Sequence, residues 1–202
     1  MTELERHPAV SGSGAVAGPD GLLRCPWASG AADYLLYHDR EWGRPVVSVD
    51  GLYERLTLEA FQSGLSWLTI LRKREAFREA FADFDPAQVA VFDDQDVARL
   101  MAETGIVRNR AKIDAAIGNA RVIAEWGNGF AELIRSYAQP DRPRPQRVAD
   151  VPAVTPESTA LSKALKKKGI RFFGPTTAYA MMQATGLVDD HLADCSVPKH
   201  DH

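Results

Sequence analysis

The sequence predicts an all-α fold, and three observations carry that reading. Apolar residues repeat at helical spacing, most plainly at Ile113, Ile117, Ala120 and Ala124. Cap residues followed by proline mark helix starts at Asp85-Pro86 and Thr155-Pro156. Alternation of apolar and polar residues is almost absent, with Pro45 to Val49 the one strand candidate.

The elements follow in order. Residues 1–22 are rich in Gly, Ser, Ala and Pro without any period, and are expected to form a disordered tail. Leu52, Leu56, Glu59 and Ser63 share one helical face, with Phe61 nearby. Asp85 caps a short helix through Val89 and Phe92. Asp96 to Glu103 carries Val97, Leu100 and Met101 on a helix that Gly105 stops. The Ile113 stripe comes next, then a short helix over Phe130 to Tyr137. Residues 139–154 hold four of the twelve prolines and three arginines, which marks a loop or linker. Thr155 opens a helix through Leu161 and Leu165 that ends at Gly169. The turn IRFFGP follows, and Thr176 opens a helix through Tyr179, Met182 and Gln183 to Gly186. The expected organisation is a tail over 1–22, one domain of two helical lobes over 23–198, and a tail over 199–202.

Composition narrows the function classes. A chain of 202 residues, 45% hydrophobic and 25% charged, can bury one core without cross-links. With 24 basic and 27 acidic residues it is no general nucleic-acid coat, although a local basic patch can sit on an acidic body. No apolar run reaches the length of a membrane helix. No apolar run follows the charges of MTELERHPAV, so export is not expected and the expected location is cytoplasmic. Without export, a lasting disulfide between Cys25 and Cys195 is not expected either.

Three constellations carry chemistry. Cys25, His38, His191 and Cys195 make a Cys₂His₂ set, the composition of a closed tetrahedral zinc site, with His191 and Cys195 at helical spacing. No CxxC or HxxxH hairpin accompanies them, so two unrelated core thiols remain the other reading. His7, His200 and His202 receive no role. Lys163, Lys166, Lys167, Lys168 and Arg171 place five cations in nine residues beside a glycine-bounded turn that opens a helix. Such a turn suits a phosphate backbone, although a charge run is equally a solvated helix face. Glu59 puts a carboxylate on a core-facing stripe, with Tyr34, Tyr37, Trp42 and Trp67 not far off in sequence. Aromatic walls around a carboxylate suit a flat cationic ligand; a core Glu paired with an arginine is the simpler reading.

Across these same residues the chain resembles a known family. RCPW (24–27), YHDREWG (37–43), LEAFQSGLSWLTIL (58–71), GIVRNRAKIDAAIGNAR (105–121), ALSKALKKKG (160–169) and LVDDH (187–191) are similar in order and spacing to the 3-methyladenine DNA glycosylase I family. The resemblance covers about Leu22 to Pro198. It implies a helix-hairpin-helix glycosylase fold and a zinc site joining the N- and C-terminal segments, its ligands Cys25, His38, His191 and Cys195. It implies a base pocket with Glu59 and Tyr37 as catalytic residues and Trp67, Trp27, Tyr34 and Trp42 binding the base. Gly64 and Leu65 match the segment that wedges into DNA. Lys166, Lys167, Lys168, Gly169, Arg171 and Gly174 match the phosphate anchor. The implied partner is double-stranded DNA containing alkylated adenine, acted on by a monomer associated with the nucleoid.

Two departures stand out. The first twenty or so residues exceed the family's usual start. The turn reads Phe173-Gly174-Pro175 where the broader superfamily has Gly-x-Gly, so one phosphate-facing amide is lost at the proline. Asp189 and Asp190 are expected to be helix-end or supporting groups beside His191. The alternatives are a zinc-containing DNA-binding module without catalysis, and a zinc hydrolase unrelated to DNA, which would want only three protein ligands.

Overall fold

The computed structural model describes residues 14–199. Among these the helices are α1 (Ala32–Arg40), α2 (Val49–Gln62), α3 (Trp67–Ala80), α4 (Pro86–Ala90), α5 (Asp94–Ala102), α6 (Arg110–Trp126), α7 (Asn128–Arg135), α8 (Pro156–Lys167) and α9 (Pro175–Ala184). Single 3₁₀ turns occur at Pro26–Ala28, Ala82–Phe84 and Val148–Asp150.

Local chemistry starts α4 and α8 where the sequence places them. The Asp85 side chain accepts from the amides of Ala87 and Gln88. Thr155 and Ser158 form a reciprocal cap on α8. Asp93 caps α5, which begins at Asp94, two residues before the expected start, with Asp96 bonding back to the cap.

α2 is the central element and packs on α3, α6, α7 and α9. The expected single stripe is too narrow. Leu52, Tyr53, Leu56, Leu58 and Phe61 are fully buried, and Arg55, Thr57 and Glu59 are buried with them. A helix covered on every side shows no clean amphipathic period. Ser63 lies beyond its end and is exposed.

Two further expectations are corrected. Val16–Ala17 (β1) and Leu23–Arg24 (β2) pair as a small antiparallel ribbon, so residues 14–22 are not a free tail. The C-terminal segment holds this ribbon. Asp194 accepts from Ala15 N, Leu23 N donates to Ser196 Oγ at 2.9 Å, and Ser196 N donates to Leu23 O at 2.8 Å. Residues 1–13 and the tail histidines fall outside the described part. Pro45 to Val49 forms no strand: 45–47 is irregular, Ser48 caps α2, and Val49 begins it.

Candidate active site

A cavity of about 250 Å³ opens where α1, α2, α3 and α9 approach one another. Trp27, Tyr34, Tyr37, Trp42, Glu59 and Trp67 all line it, so the six residues assigned to a base pocket are brought together. Trp27 lies at the centre of the aromatic wall, with ring centroids 5.0 Å from both Tyr34 and Trp42. Tyr37 and Trp67 sit 5.4 Å apart.

Glu59 is 6% exposed and has no hydrogen bond or ion pair among the described residues. Burial pushes its carboxyl up to about 8, and the field of Arg55 offsets this only in part. Arg55 instead bonds Glu41 at 3.2 Å, and Arg74 holds the same carboxylate. The simple reading of Glu59 as an arginine-paired core residue is therefore not met: the arginine is present and is engaged elsewhere.

Gln62, Val148, Val151, Ala180, Gln183, Asp190 and Leu192 also face the cavity, and of these the sequence assigned a role only to Asp190. Asp190 accepts from the Tyr179 hydroxyl and from Gln183 Nε2, and its Oδ1 has no hydrogen-bond partner. Of the two neighbouring aspartates only Asp189 supports His191, bonding its Nδ1 at 2.8 Å; Asp190 belongs to the cavity wall. Its place beside His191 in LVDDH was the available signal, whereas nothing in the sequence marks Val148 or Val151. Residues 139–154 form a strap fastened inward. Arg142 bonds the Tyr179 hydroxyl at 2.8 Å and Arg144 bonds Asp189 at 2.8 Å.

The Cys/His cluster adjoins this cavity, and Cys25 lines both. The donor atoms of Cys25, His38 and Cys195 lie within 4.8 Å of one another, all buried. His191 is outside that group of three, but its ring is 5.0 Å from that of His38 and its buried Nε2 has no partner. Both histidines are oriented alike: Asp39 takes Nδ1 of His38 and Asp189 takes Nδ1 of His191, each at 2.8 Å, which turns Nε2 of His38 to Cys195 Sγ at 3.6 Å and leaves Nε2 of His191 without a partner. Arg24 and Arg144 fix those carboxylates in turn. Burial works to raise Asp189, yet His191 and Arg144 hold it down at about 2. The Cys25 thiol and His38 hold the Cys195 thiol down, while Cys195 and burial push Cys25 up. Gly43 is required here: its φ is +77°, and a Cβ would lie 2.8 Å from the His191 ring.

The loop Ser63–Ser66 joins the two cavity walls that carry Glu59 and Trp67. Gly64 has φ +86° and Leu65 is exposed. Lys112 of α6, which sequence reading passed over, fixes its start, donating to Phe61 O at 2.9 Å and Ser63 O at 2.8 Å. Burial lowers its pKa, and no carboxylate pairs with it among the described residues. Lys112→Met is expected to cost about 1–3 kcal/mol, through two carbonyls left without their donor. Urea denaturation measures this, and an unchanged midpoint would show that the cap is dispensable.

The turn between α8 and α9 carries the cations. Lys166 and Lys167 are exposed. Lys168 Nζ lies 4.6 Å over the Trp126 ring, and the Arg171 guanidinium lies across Gly118 of α6, where a Cβ would collide with it. Two of the four expected phosphate contacts thus lean on α6. Gly169 has φ +101°, and Gly174 precedes α9 as its cap residue.

Comparison with known proteins agrees with this geometry. A family model described as "Methyladenine glycosylase" matches residues 27–199. The chain is 46% identical over 178 residues to the DNA-3-methyladenine glycosylase of Haemophilus influenzae, covering 85% of this chain and 96% of the relative. It is 45% identical to DNA-3-methyladenine glycosylase 1 of Escherichia coli, covering 86% and 96%. Among solved structures, a 3-methyladenine DNA glycosylase I from Staphylococcus aureus, studied for its recognition of 3-methyladenine, superposes with a TM-score of 0.82 at 38% identity, covering 88% of this chain and 98% of that one. From a match that spans nearly all of the described residues, and relatives this similar over almost their whole length, it follows that the chain belongs to the methyladenine glycosylase family.

Proposed function

We propose that the chain is a DNA repair N-glycosylase that extrudes 3-methyladenine from alkylated double-stranded DNA and hydrolyses it from the sugar, leaving an abasic site. One observation carries this reading: a buried, unbonded carboxylate, Glu59, in a cavity walled by aromatic rings. N3-methylation makes adenine a cation with an exocyclic amine, and Glu59 suits both features. Trp67 stacks on the base and Tyr37 supports the geometry. Water attacks C1′, the bond from C1′ to the base breaks, its electron pair neutralises the leaving adenine, and the water's second proton passes to solvent. The leaving group is already activated, so the protein's part is extrusion, selection and desolvation. The test is release of free 3-methyladenine from methylated DNA, the strand remaining unbroken until alkali is added.

Cys25, His38, His191 and Cys195 would hold one zinc ion, which would tie the N-terminal segment to residues 191–195. The unpartnered Nε2 of His191, the closeness of the Cys25, His38 and Cys195 donor atoms and the two supporting carboxylates favour this. Four protein ligands leave the ion no open position for water, which counts against a zinc hydrolase. An intact pocket counts against a non-catalytic DNA-binding module.

α8, its turn and α9 serve as a helix-hairpin-helix anchor for the backbone, and Gly64-Leu65 fills the gap left by the flipped nucleotide. Each phosphate contact contributes about −0.9 to the salt slope of binding. Reversing Lys166 and Lys167 together is expected to flatten that slope by about 2 and to weaken all sequences alike. An unchanged slope would place the DNA on another face. The proposed form is a monomer. No described helix is long and apolar enough to cross a membrane, and the proposed location is the cytoplasm, at the nucleoid.

A further inference from the structure

The turn between α8 and α9 contains a residue that packing does not explain. Phe172 is 51% exposed, while its neighbours Ile170 and Phe173 are buried. It makes no aromatic contact among the described residues. Its φ is +56°, a left-handed conformation in which a side chain is disfavoured and glycine is at ease. Retaining a bulky apolar side chain there, in water and in strain, asks for a partner outside the chain.

The surroundings specify that partner. The turn is rigid: the buried Asn119 amide brackets Arg171, accepting from its N–H at 2.8 Å and donating to its carbonyl at 3.1 Å. Ser162 donates to Phe173 O at 2.7 Å. Phe172 is therefore presented on a fixed mount, next in sequence to Arg171 and in the turn that follows the exposed Lys166 and Lys167 at the end of α8. α9 starts three residues later, and Ala180 and Gln183 of the same helix line the cavity. At 1.5 Å per residue, Ala180 is about 8 Å along the axis from Pro175. A polyanion bearing an apolar face beside its phosphates, close to a flipped base, fits this position.

We infer that Phe172 packs against a deoxyribose of the strand whose phosphates the turn holds. The inference rests on the DNA reading above. It gives the turn two grips, a salt-sensitive one from its cations and a salt-insensitive one from this ring. It also explains why glycine does not stand at a position whose backbone favours it.

Phe172→Gly and Phe172→Asn test this, since both residues accept the left-handed conformation and neither carries the ring. Both variants should melt at or above the parent temperature. Their affinity for an abasic duplex should fall about tenfold, the low end for an aromatic contact to a nucleotide. The dependence on salt should keep its slope. Unchanged affinity overturns the inference. So does a loss that comes with a lowered melting temperature, which would make Phe172 a packing residue. The Lys166 and Lys167 charge reversals run alongside. If they weaken binding and the Phe172 variants do not, only this inference fails; if neither set does, the DNA face itself is wrong.

Discussion

Glu59→Gln is expected to slow excision of 3-methyladenine by about 10²–10³-fold while leaving the protein folded and able to bind abasic DNA, a loss on the scale of removing one charged partner of a transition state. Glutamine keeps the shape and one accepting oxygen and loses the charge. The pH dependence separates this from a packing effect. Burial holds the Glu59 carboxyl near 8 in the empty cavity, so near neutral pH it carries a proton that an entering cation must displace. For the parent, kcat/KM should therefore rise with pH up to about 8 and then level; in the variant that limb should be gone. Stability moves the other way. An acid whose folded pKa is raised above its unfolded value stabilises most below the unfolded one, about 4.3, and that contribution is lost as pH rises through about 8. The variant should thus melt at or above the parent temperature in alkaline buffer. Normal excision with a lowered melting temperature would return Glu59 to the role of a core residue.

His191→Ala and Cys25→Ala are expected to give the largest loss of stability. Structural zinc contributes roughly 10–16 kcal/mol in small peptides, part of which at the proposed site would offset the closure of a very long loop. Removing a ligand should lower the melting temperature by tens of degrees, since about 1 kcal/mol moves a domain of this size by 2–4 °C. The released metal can be counted by elemental analysis, independently of activity. Because Cys25 and Leu192 also line the cavity, chelation should weaken binding of free 3-methyladenine before the chain unfolds. Protein that carries no zinc as purified and melts unchanged in chelator would dispose of the site.

Legibility in the sequence followed the range of each interaction. Caps such as Asp85 and Thr155 act within three residues, so they were plain. α3 was not singled out, because its start at Ser66 lies inside a loop and little of it is buried. The ribbon over 16–24 was hidden because its stability comes from Asp194 and Ser196, far along the chain. The six-residue pocket was reached through family resemblance; spacing alone could not decide between a pocket carboxylate and a paired one at Glu59. What settled the geometry was the engagement of Arg55 by Glu41, a contact 14 positions apart in sequence between α2 and the residue that ends α1. Val148, Val151 and Lys112 lacked any signal, since an apolar residue in a proline-rich strap and a lysine on an amphipathic helix are both unremarkable until packed.

The clasp between the ends of the domain has a consequence for synthesis. Leu23 and Ser196 bond each other across 173 positions, and Asp190, His191, Leu192 and Cys195 complete both the cavity and the Cys/His cluster. A nascent chain paused between Gln183 and Asp190 carries Glu59, the aromatic wall and Val148, Val151, Ala180 and Gln183 opposite, yet lacks Asp190, Leu192 and Cys195. Translation that stops there leaves the cavity open on one side and the Cys/His cluster short of a sulfur. The same short segment, 190–195, completes both together.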